Sequence, residues 1–127
     1  MPAPLDRSPL LGESYELGED FRVRLRMARS SDLLPIRALL ASKHREPEAE
    51  VTALVQFDPR RRCVICATAL IEGTETLVGV GSIDLDDDGL AEPDTLLVAG
   101  EHSEAVAELL AGALIARAVH AARARAA

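Results

Sequence analysis

The sequence predicts an α/β (α+β) domain: a mainly antiparallel sheet of about four strands flanked by helices, in the order β-α-α-β-β-β-α. Three observations predict it. FRVRLRM alternates apolar and basic residues strictly, the period-2 pattern of a half-buried strand. RCVICATALI and TLVGVGSIDL are two strand-like runs separated by EGTE, a connection short enough and glycine-bearing enough for a hairpin. From Ser103 onward, Val106, Leu109, Leu110, Ala113, Leu114 and Ala118 follow the i, i+3, i+4, i+7 spacing of an amphipathic helix.

Residues 1–20 mix Pro, Gly, Ser and acidic residues without periodicity, so they read as a poorly ordered arm or a strap on the surface; residues 21–127 read as one domain. In the first strand Phe21, Val23, Leu25 and Met27 share one face, while Arg22, Arg24 and Arg26 form the other, either a solvated face or one that meets an anion. Ser30, Ser31 and Asp32 are N-cap candidates for a helix over LLPIRALLA, and Pro35 falls early enough that its missing N–H has no helical partner to lose. A second helix starts near Glu46-Pro47 and stops at Asp58-Pro59, with Val51, Leu54 and Val55 at helical spacing. Arg60, Arg61 and Arg62 then open the next strand as a basic turn.

Because RCVICATALI is apolar at nearly every position, the strand should be covered on both faces. Cys63 and Cys66 lie inside it, three residues apart and therefore on opposite faces, which suits buried structural thiols rather than a redox or metal CxxC pair. A DDDG turn leads to AEPDTLLVA, a strand whose firm part begins after Pro93. A sheet ending at TLLVA leaves an apolar edge that needs pairing, so a homodimer or a protein partner is expected there.

At 127 residues the chain is one ordinary domain, 48% apolar and 28% charged. The net charge of −7 opposes both phosphate backbones and anionic bilayers, and with Tyr15, Phe21 and Phe57 as the whole aromatic content there are no base-stacking platforms. Nucleic acid and membrane surfaces are thus disfavoured. The longest unbroken apolar run is under half of a spanning helix, MPAPLDRSPL lacks a signal-peptide pattern, and a cytoplasmic location is expected.

The order of elements, with VRLRMARSSDLLPIRALL, LVQFDPRRRCVICATAL and TLVGVGSIDL, resembles the Gcn5-related N-acetyltransferase (GNAT) superfamily from about residue 21 to 120. The R-x-A-x-x-x-D opening to helix one is matched by Arg26, Ala28 and Asp32, and a V-G pair in the third strand by Val78-Gly79. FDPRRRCVICAT looks like the acetyltransferase domains of bacterial protein-lysine acetylating enzymes. The resemblance implies acetyl-CoA as cofactor, its pyrophosphate resting on a [QR]-x-x-G-x-[GA] turn where the helix after the fourth strand begins. It places Val98, Ser103, Glu104 and Ala105 at that position and Glu92 where many members keep a general base, although Glu92 also reads as a solvent-facing residue at a strand end.

This turn departs from the pattern. Ser103 to Glu108 contain no glycine, and Glu101 and Glu104 put carboxylates where a diphosphate would sit. At about 6 Å and an effective dielectric near 20, each repulsion costs roughly 2–3 kcal/mol, or about a hundredfold in affinity. The family's later strands and its catalytic Tyr are also expected to be missing, so the chain reads as C-terminally truncated relative to the family or as a piece of a longer protein. The expected function is a degenerate acetyltransferase-like domain, with weak or no acetyl transfer, serving as a binding, regulatory or assembly module. The alternative is an active acetyl-CoA-dependent N-acetyltransferase with an unusual cofactor loop, completed by a second chain.

Other motifs carry less. Asp84, Asp86, Asp88 and Gly89 spell half of a calcium loop, but Thr95 stands at its twelfth position and Pro93 interrupts it, so an acidic turn is the reading and no metal is expected. Gly79 and Gly81 lack the third glycine and the helix of a dinucleotide fingerprint. His44, His102 and His120 have no metal-ligand spacing; His102, beside the cofactor turn, reads as a cap, an exposed residue, a base or an anion contact.

Overall fold

The computed structural model describes residues 12–43, 47–85 and 92–126. Five strands form one antiparallel sheet in the order β1-β2-β3-β4-β5: β1 Ser14–Gly18, β2 Phe21–Met27, β3 Arg62–Ile71, β4 Thr74–Asp84 and β5 Thr95–Val98. Helices α1 Leu33–Ser42 and α2 Pro47–Val55 lie between β2 and β3, and α3 Ser103–Ala126 follows β5. The predicted fold class is observed with one strand more: residues 14–18, assigned to the arm, form β1 against β2.

β3 occupies the centre, and Cys63 to Ala69 are buried, as expected for a strand covered on both faces. Val23, Leu25, Cys63, Ile65 and Ala67 face Val106, Leu110, Ala113, Leu114 and Ala118 of α3. On the opposite face Val64, Cys66, Val80 and Leu97 meet Ile36, Leu39, Leu40, Val51 and Leu54 of α1 and α2. The result is three layers with the sheet in the middle. Each fully buried Leu or Ile contributes about 1.5–3 kcal/mol through apolar surface removed from water.

The glycines of VGVGS set the spacing between sheet and helix. A Cβ at Gly79 would lie 2.8 Å from Leu110 Cδ1 and 2.9 Å from Val106 Cγ1, and one at Gly81 would lie 2.7 Å from Leu114 Cδ1. They are packing glycines within β4. The β3–β4 hairpin turns through two residues, Glu72 and Gly73, both at positive φ, so the loop is shorter than the EGTE read from the sequence.

A single 3-10 turn, Ser30–Asp32, precedes α1, and Asp32 does not cap α1 with its side chain. Its carboxylate instead accepts the Arg29 N–H at 2.8 Å and two hydrogen bonds from Arg26. α2 ends at Val55, three residues before Asp58. Among the described residues one helix, α3, is long and apolar enough to cross a membrane by length and composition alone. Its inward stripe packs against the sheet.

Candidate functional site

The turn from β5 into α3 is built by hydrogen bonding and one glycine. β5 pairs with β4 through Gly79↔Val98, and the Ala99 N–H donates to the Val78 carbonyl at 3.0 Å. Gly100 then reverses the chain at φ +95°, a conformation that side-chain-bearing residues rarely adopt. Val106 N–H donates to the His102 carbonyl at 3.0 Å, the first bond of α3. His102 is therefore the N-cap, and the amides of Ser103, Glu104 and Ala105 have no carbonyl one turn back to bond.

Around those amides, Val98 is half-buried beside Gly79, Ser103 and Ala105 are half-buried, and Glu101 and Glu104 are exposed. The His102 ring stacks on Phe21 with centroids 4.2 Å apart and planes within 15°. It also lies over Gly18, where an added Cβ would come within 2.7 Å of the ring. The β1–β2 corner thus flanks the start of α3 with an aromatic pair. Sequence reasoning missed this contact, since Gly18 carried no periodic pattern and a ring stack between residues so distant in sequence has no local motif.

Glu92 is exposed, in the segment before β5, whereas Val98 closes the other end of that strand and Ser103 to Ala105 lie beyond it. A four-residue strand spans about 13 Å, so the structure does not bring the candidate base to the candidate cofactor turn. Asp94, two residues after Glu92, belongs to a polar group the sequence did not reveal. Arg62 donates to Ser82 Oγ at 3.0 Å and to Asp94 Oδ1 at 3.2 Å, and Ser82 Oγ donates to Asp94 Oδ1. With Ser82 fully buried, this group ties the start of β5 to β3 and β4.

The three arginines of β2 diverge. Arg26 forms a two-pronged pair with Asp32, both bonds 2.7 Å, on side chains 18% and 5% exposed. Arg22 meets Glu16 at 2.8 Å in solvent, and Arg24 is exposed. Arg22 and Arg24 line a cleft of about 520 Å³ with Glu16, Thr68, Leu70 and Glu75, and a second cleft of about 300 Å³ includes Phe57, Asp58, Arg61 and Arg62. Neither is lined by Glu92 or by residues of the β5–α3 turn.

Cys63 and Cys66 are free thiols, buried on opposite faces of β3. Burial pushes the Cys66 thiol up to about 12, reinforced by the Asp32 carboxylate, and burial also raises Cys63. A raised thiol is a poor nucleophile at neutral pH. Ellman's reagent at pH 8 should therefore leave both cysteines unmodified in the native protein and titrate both in denaturant; rapid native-state labelling would contradict the packing. Among the described residues no group of three or more His, Cys, Asp or Glu side chains is placed to hold a metal. The DxDxDG reading cannot be placed, because Asp86, Asp88 and Gly89 lie outside the described residues.

The fold and this turn define a class: an α+β domain with an antiparallel five-stranded sheet, two helices on one face and one on the other. No protein-family model, no curated protein and no solved structure gives a significant match to the chain.

Proposed function

We propose that this chain is a GNAT-like domain whose cofactor turn has degenerated, so that it does not hold acetyl-CoA tightly and acts in the cytoplasm as a binding, regulatory or assembly module. The kinship is supported by the element order β2-α1-α2-β3-β4-β5-α3, by α1 and α2 lying opposite α3, and by the Arg26–Asp32 pair at the opening to helix one. The loss of cofactor binding rests on one observation: the first turn of α3 has no glycine and carries exposed Glu104, with exposed Glu101 just before the N-cap, at the positive end of the helix. Free, buried cysteines fit a reducing compartment.

Isothermal titration with acetyl-CoA tests the reading. Little or no saturable heat is expected up to several hundred micromolar ligand, given about a hundredfold weakening per misplaced carboxylate. A dissociation constant in the low micromolar range would refute it.

A further inference from the structure

We propose that a second copy of this chain pairs with β5, antiparallel and about a two-fold axis, to make one continuous ten-stranded sheet. The proposal names the partner in the assembly reading above and deepens it. It rests on the β5 edge, which pairs with no strand but β4 among the described residues, and not on the state of the cofactor turn.

The two sheet edges differ. β1 is blunted by a register shift between Glu16 and Gly18 and by the charged Arg22–Glu16 pair beside it, the usual devices against edge pairing. β5, TLLV, has neither charge nor proline within it. Its ladder to β4 fixes which backbone groups point outward. Ala99 N–H bonds the Val78 carbonyl, so by alternation Leu97 also faces β4, and Leu96 and Val98 turn their N–H and C=O groups away from the sheet. A two-fold axis at Leu97 satisfies all of these, because Leu96 of each copy then exchanges both bonds with Val98 of the other.

The side chains above this edge suit the same axis. Leu96 is 37% exposed beside Gly81 and Leu114, on the α3 face of the sheet, and Ile115, 39% exposed, lies on the flank of α3 that follows Leu114 around toward β5. The two-fold sets the two α3 helices antiparallel on one face, about 14 Å apart if each stays over its own β4. That exceeds direct helix contact at 8–10 Å, and Leu96 and Ile115 from both copies fill the space between. Charge agrees with this direction. Glu101 and Glu104 at the start of one α3 come toward Arg123 and Arg125 at the end of the other, a complementarity that a parallel arrangement would reverse.

Sedimentation equilibrium reads the proposal. The wild type should have twice the 13.6 kDa chain mass at about 100 µM, a concentration well above the dissociation constant of a stable interface. Leu96→Lys and Ile115→Glu should each weaken the dimer at least tenfold with the circular dichroism unchanged, while Leu34→Lys, at an exposed position on α1, should leave it intact. Ile115→Glu carries the test if Leu96→Lys fails to fold. Leu97→Cys should cross-link through oxidation, since facing residues at such a pair are about 4.5 Å apart between Cα atoms, whereas Tyr15→Cys should not. A wild-type monomer, a dimer indifferent to both edge variants, or a Leu97→Cys dimer that resists oxidation would each overturn the proposal.

Discussion

Replacing Asp32 with Asn should destabilise the domain by about 3–5 kcal/mol, the range for breaking a buried ion pair by removing one partner. The Asp32 side chain is 5% exposed and accepts two 2.7 Å bonds from Arg26 and one from the Arg29 N–H, so the amide would leave a guanidinium uncompensated next to the Cys66 thiol. For a chain of this length the change corresponds to a fall in Tm of about 10 °C or more. Removing both charges should recover most of the loss in an Arg26→Met, Asp32→Leu double variant, because an apolar pair of similar volume does not have to be desolvated. The variant pair separates an ion pair that specifies the β2–α1 corner from one that merely fills it. Chemical denaturation of the three proteins at neutral pH reads the comparison, and equal stability of wild type and Asp32→Asn would contradict it.

The same carboxylate sets an acid limit. Burial alone would raise it, but the hydrogen bonds from Arg26 and the Arg29 amide and the charge of Arg26 hold it below its ordinary value of 3.8. A depressed value in the folded state makes the contribution complete above pH 3.8, and it is lost as pH falls through the folded value beneath that. Wild type should lose this increment in acid, and Asp32→Asn has none to lose, so their denaturation midpoints converge below pH 3.8.

The second large effect is expected at Gly79. Valine there must displace Leu110 Cδ1 and Val106 Cγ1, which lie within 3.0 Å of even the first added carbon. Overpacking of this kind costs about 1–3 kcal/mol after the gain in strand propensity. Leu110→Ala alone opens a cavity at a fully buried position and costs about 2–5 kcal/mol. Combined, the two changes exchange volume across one contact, so the double variant should be more stable than the sum of the single losses by about 1 kcal/mol or more. Strict additivity would show that the close approach of α3 to β4 is not what these glycines provide.

Much of this architecture was legible in the residues. Strict alternation in FRVRLRM, continuous apolar character in RCVICATALI and the helical stripe after Ser103 each identified an element whose burial has one period. β1 was not legible, because SYELG is short, mixed and at an edge, and its place comes from pairing with β2. The Phe21–His102 stack and the Arg62–Ser82–Asp94 group were hidden for a related reason: each joins residues from separate elements, and only the sheet register brings them together. Arg26 and Asp32 were legible as a pair of positions but not as partners, since Asp32 also reads as a helix cap. Glu92 was a choice of residue type, and it stands exposed before β5, at the opposite end of that strand from the turn into α3.

On the proposed function, the amides opening α3 do not receive a diphosphate. Backbone amide resonances of Ser103, Glu104 and Ala105, followed by NMR during titration with coenzyme A, test it at the atoms concerned. These three signals should stay in place through millimolar ligand, the order expected after two misplaced carboxylates. Saturable shifts at micromolar coenzyme A, centred on those amides, would contradict it.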